Sequence, residues 1–75
     1  MHLLFSEEFS QNQLTEVFTI SQISDNLYQA KSLSETIILW KHDKAWEGVT
    51  NSEESKLIQA IGISIDKYFK ALKTP

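Results

Sequence analysis

From Ser52 to Leu72 the chain reads SEESKLIQAIGISIDKYFKAL, and this stretch constrains the fold more than any other. Leu57, Ile58, Ile61, Ile65, Tyr68, Phe69 and Leu72 recur at i, i+3, i+4 and i+7. At about 100° per residue they fall within a stripe about 120° wide. The spacing predicts one long amphipathic helix over 51–73. Thr50, Asn51 and Ser52 are suitable N-caps, and Glu53 and Glu54 stand in the first turn, where the helix dipole favours anions. Lys67, Lys70 and Lys73 crowd the end that favours cations, and Pro75 follows the stop. Ile63 lies opposite the stripe, on the side of Gln59, Asp66, Lys67 and Lys70.

A one-sided helix needs an apolar surface to lie on. Residues 14–50 supply a pattern for one, because they alternate and are rich in β-branched and aromatic side chains. Four strands are predicted, over 15–23, 27–33, 36–41 and 45–49. A three-residue turn at Ser24-Asp25-Asn26, with Asn26 left-handed, pairs Ile20 with Ala30 and Gln22 with Tyr28. That register puts Phe18, Ile20, Tyr28 and Ala30 on one face and Thr19, Ser21, Gln29 and Lys31 on the other. A one-residue slip would mix the two sets. The same turn logic at His42-Asp43-Lys44 sets Trp40 opposite Trp46, with Ile38 and Gly48 on their face. A two-residue Asp43-Lys44 turn is the alternative and separates the tryptophans.

Residues 1–13 carry Leu3, Leu4, Phe5 and Phe9, too apolar for a free tail. Ser6-Glu7-Glu8 suits the start of a short helix with Phe5 as its staple, and a strand competes with it. The fold class expected is α+β: an antiparallel four-stranded meander (14–50) packed against one long C-terminal helix (51–73), with a short N-terminal helix or strand (1–13), all in one small domain.

Composition excludes several functions. With no cysteine, disulfides and thiolate metal sites are out. His2 and His42 alone make a poor zinc site, so no metal or cofactor is expected. Ten acidic residues stand against seven basic ones, for a net charge of −3, and no arginine is present. Nucleic acid is therefore a poor partner, since phosphate binding draws on clustered Lys and Arg. No signal-peptide pattern or transmembrane run appears, so a cytoplasmic protein away from the membrane is expected.

No constellation points to catalysis. His42 and Asp43 are neighbours at a hairpin tip, where a pocket and a positioned substrate are lacking. Glu7-Glu8 and Glu53-Glu54 read as helix-start charges. No GxSxG or glycine-rich phosphate loop is present. Tyr28, Trp40 and Trp46 form a candidate aromatic face, read as core before ligand platform, because a stacking platform goes with a basic groove. Ile37 and Leu39 fall on the sheet face opposite Ile38 and Trp40, which a meander with one helix leaves uncovered. With Ile63 they are the candidate interface, covered either by Leu3 to Phe9 or by another molecule. The functional expectation is a non-enzymatic protein-interaction domain that self-associates or binds one protein partner. The alternative is a binder of small ligands or single-stranded nucleic acid through the aromatic face.

Overall fold

The computed structural model describes residues 1–11, 13–49 and 55–73. In chain order they form β1 (His2–Gln11), β2 (Leu14–Ser24), β3 (Leu27–Lys31), β4 (Thr36–His42), β5 (Ala45–Gly48) and α1 (Ser55–Lys73). The strands make one antiparallel sheet in the order β1-β2-β3-β4-β5. The helix lies on one face of that sheet, so the α+β architecture holds with five strands instead of four.

The additional strand is β1. Ser6, Glu7 and Glu8 do not start a helix; they pair with Thr19, Phe18 and Val17 of β2. Strand alternation separates the two glutamates: Glu7 points to the helix side and bonds Ser64, while Glu8 points away. A bulge between Leu3 and Phe5 turns the strand so that Phe5 and Phe9 face the helix while Leu3 faces outward.

The β2–β3 register is the expected one, with Ile20 opposite Ala30 and Gln22 opposite Tyr28. The turn that achieves it differs. Ser24 pairs with Leu27 across Asp25-Asn26, and the odd residue is absorbed by a bulge at Ile23. Asn26 is not left-handed, since among the described residues other than glycine only Gln13 and Asp43 have positive φ.

At the β4–β5 hairpin the two-residue turn wins. His42 pairs with Ala45, Lys41 with Trp46 and Trp40 with Glu47, so the tryptophans do not face each other. Asp43 carries the turn with φ of 57°, a conformation that short polar side chains tolerate. The consequence runs through the whole strand. Ile37 and Leu39 pair with Ala30 and Tyr28, and they are buried under the helix, Leu39 completely (0% exposed). Ile38 and Trp40 face the other way. The expectation that Ile37 and Leu39 lie on the uncovered face is thus corrected, because the turn sets strand phase and a shift of one residue exchanges the faces.

The core is the helix side of the sheet, Phe9, Phe18, Ile20, Tyr28, Ala30, Ile37, Leu39 and Trp46, closed by Leu57, Ile58, Ile61 and Ile65 of α1. Phe69 packs at its margin, and Phe5 stacks on Tyr68 with ring centroids 5.2 Å apart. Leu72 is exposed, so the apolar stripe ends before it does in sequence. Residues 50–54 and Pro75, read as helix start and stop, lie outside the described residues.

Candidate functional site

Among the described residues, aromatic and polar side chains come together under the helix and on the open side of the sheet. Under the helix, Asp66 of α1 accepts hydrogen bonds from Lys41 Nζ at 2.6 Å and Trp46 Nε1 at 3.1 Å. Gln59 Nε2 donates to the Trp46 carbonyl at 2.7 Å. Gly62, one turn from each, is where the indole meets the helix backbone: a Cβ there would come 2.2 Å from Trp46 Cγ. Tyr28 packs on Trp46 and on Phe69. Its hydroxyl reaches the Asp25 carbonyl at 3.4 Å. Burial pushes the phenol above its ordinary pKa, with the negative charges of Asp66 and Asp25 adding to the effect. All these polar groups are occupied with one another, and among the described residues no buried side-chain nitrogen or oxygen lacks a partner. The arrangement clamps α1 to β4 and β5.

The candidate aromatic face therefore divides. Tyr28 and Trp46 are core residues, as preferred on sequence grounds, while Trp40 stands on the opposite side of the sheet. The candidate interface divides as well. Ile37 and Leu39 are interior, and Ile63, 53% exposed on the outward side of α1, is remote from the open face. His42 and Asp43 sit 3.8 Å apart at the β4–β5 tip, both exposed. No three residues among those described are grouped to hold a metal ion.

The open face is built by register. Leu27 lies beside Trp40, and Gln29 beside Ile38. Val49 donates its N–H to the Ile38 carbonyl at 2.8 Å, which carries the row one residue past β5. Leu27, Ile38 and Trp40 are half-buried by their neighbours, and Val49 is exposed. His42, two residues on and so on the same face, lies against the Trp40 ring with centroids 4.8 Å apart. Toward β1 the face becomes polar, with hydroxyl pairs Ser6–Thr19 and Ser10–Thr15 across the strands. Val17, 56% exposed, and Leu3 stand among them.

A shallow hollow of about 450 Å³ opens at Val17, Thr19, Lys31, Ser32 and Leu33. Its wall is the β3–β4 loop, where the Ser32 hydroxyl accepts the backbone N–H groups of Ser34 and Glu35. Ser34 Oγ donates to Glu16 at 2.6 Å. The loop holds Leu33 fully out in solvent. The hollow has one charged group, Lys31.

Sequence reasoning passed over Leu27, Val49 and Val17. The signal that would have found them is the left-handed tolerance of Asp43, which selects the two-residue turn and with it the outward phase of Ile38 and Trp40. No helix among the described residues is long and apolar enough to cross a membrane. No family model matches the chain, and neither a curated protein nor a solved structure matches it.

Proposed function

We propose that the protein is a non-enzymatic interaction domain whose binding surface is the open face of its sheet, centred on Leu27, Ile38, Trp40 and Val49. The observation that carries this reading is the side-by-side placement of Trp40, Leu27 and Ile38 on a face that no described element covers. Monomeric proteins seldom leave contiguous apolar area of this kind open. Tryptophan is also among the residue types enriched where binding energy concentrates at protein interfaces. Lys31 is the single lysine that the register puts on this face, and the chain is acidic overall, which favours a protein surface over a phosphate backbone as the occupant.

The test is site-specific photo-cross-linking in the cell, with a benzophenone amino acid at position 38 compared with position 60, an exposed alanine on α1. A discrete adduct at 38 that is absent at 60 is the expected result. Equal, diffuse labelling at the two positions would defeat the assignment of this face.

A further inference from the structure

We infer that the hollow beside the β3–β4 loop is a binding site for a small aliphatic monocarboxylate, with the carboxylate at Lys31 and the chain between Val17 and Leu33. The site is apart from Leu27, Ile38 and Trp40, and it stands or falls without them. The hollow of about 450 Å³ continues into one of about 250 Å³ lined by Thr15, Glu16, Val17 and Leu33. Val17 and Leu33 are walls of both. Thr15, Val17 and Thr19 alternate on the open side, so the two hollows together run about 13 Å along β2. Small-ligand sites fall in this range of size.

The polar end comes from register. Lys31 lies directly opposite Thr19, so their side chains are neighbours on the open face. Among the described residues no carboxylate pairs with the Lys31 ammonium. The Ser6 and Thr19 hydroxyls share one hydrogen bond of 3.3 Å, in which either can donate. With Ser6 donating, Thr19 keeps its own hydroxyl hydrogen for an oxyanion held by Lys31. An ammonium beside a hydroxyl matches the two oxygens of a carboxylate.

The apolar end comes from the loop. Besides the two N–H groups that the Ser32 hydroxyl accepts, the Ser32 N–H donates to the Glu35 carbonyl at 2.9 Å. Ser34 ties the turn to Glu16. A lone exposed leucine is ordinary. Leu33, however, is held by a braced turn at the same hollow as Val17, itself 56% exposed. An aliphatic chain lying between them would take both out of water.

Charge narrows the ligand. Glu16 lines the far hollow and Glu8 lies opposite Val17, so a second anionic group at the end of the chain meets repulsion. A phosphate monoester carries roughly two negative charges, whereas the hollow offers one lysine and the chain has no arginine.

Titration of the isotopically labelled full chain with sodium octanoate, followed through backbone amide chemical shifts, tests the site. Saturable shifts are expected at Val17, Thr19, Lys31 and Leu33 and not at Ile63. Lys31→Met, which keeps an unbranched stem, should raise the dissociation constant about tenfold or more, the scale of a charged hydrogen bond. Leu33→Ser should raise it by about tenfold through lost apolar contact. Both positions are exposed, so the rest of the spectrum should stay that of the folded chain. Octanol and suberate, with the same number of carbons, should each bind about tenfold more weakly than octanoate.

No saturable shift within the millimolar range would overturn the inference, as would shifts centred on Ile38 and Trp40. An affinity indifferent to both Lys31→Met and Leu33→Ser would do the same. Octanol binding as tightly as octanoate would overturn the carboxylate seat, and suberate binding as tightly would overturn the match to a single charge. Inorganic phosphate shifting Lys31 at lower concentration than octanoate would overturn the ligand class.

Discussion

Gly62 is the residue on which the helix–sheet contact turns. A glycine inside a helix costs about 1 kcal/mol relative to alanine, so Gly62→Ala would ordinarily stabilise the protein. Here the added methyl would overlap the buried Trp46 ring at Cγ, the rigid base of the side chain and not a movable tip. Overpacking of this kind costs about 1–3 kcal/mol. Gly62→Ala is therefore expected to lower the urea midpoint, whereas Ala at the exposed Ile63 should leave it within about 0.5 kcal/mol.

Tyr28 gives a second expectation, in pH. Its phenol is held neutral by burial and by nearby carboxylates, so its folded pKa lies above the unfolded value of 10.0. The resulting stability is complete below pH 10 and is lost as pH rises from there through the folded pKa, because the unfolded chain releases that proton first. Urea midpoints measured through the alkaline range should fall less steeply for Tyr28→Phe than for the wild type.

At the level of elements, β4 is a strand with two apolar faces, Ile37 and Leu39 inward, Ile38 and Trp40 outward. The two faces predict opposite outcomes for the same substitution. Leu39→Lys places an unpaired charge in a closed core, a cost of several kcal/mol. That is comparable with the whole stability of roughly 4–11 kcal/mol expected for a chain this size, so the variant should be unfolded by circular dichroism. Ile38→Lys should keep its helix signal. The hairpin that sets this phase offers a further check. Asp43, left-handed at 57°, should accept glycine with unchanged or higher stability. Lys44→Gly should bring no such gain, since Lys44 is not left-handed.

The same strand explains what could and could not be read from residues alone. Leu57 to Ile65 announce their buried side because their period is that of a helix, and Phe18, Ile20, Tyr28 and Ala30 announce theirs because polar residues alternate with them. Ile37-Ile38-Leu39-Trp40 has no polar residue to give it a phase, so only the turn could decide which side was open. In β1 the bulge at Leu4 breaks the alternation, leaving Leu3 out and Phe5 in two residues later. Ser6-Glu7-Glu8, locally a good helix start, then resembled something it is not. The open face was misread for one physical reason, a single residue of turn length.

For the whole molecule, the helix covers one side of the sheet and leaves the other side with its own apolar centre. A protein partner that binds that centre only in the folded state links folding to binding, so the midpoint of thermal unfolding should rise with the partner's concentration. Scanning calorimetry with a partner captured at position 38 should show that rise in the wild type and its loss in Ile38→Lys. A small domain without disulfides or a described metal cluster has few other ways to add stability.

The order of elements has a consequence during synthesis. Each strand pairs only with its neighbours in sequence, so the meander can form hairpin by hairpin as it leaves the ribosome, with short loops and little delay. The helix that covers Phe18, Ile20, Ile37 and Leu39 emerges only after all five strands. Until then the nascent sheet is apolar on both sides, with its longest edge strand, β1, unpaired along one margin. The period between translation of Gly48 and docking of Ile61 is when the chain is most prone to aggregate and most in need of a chaperone.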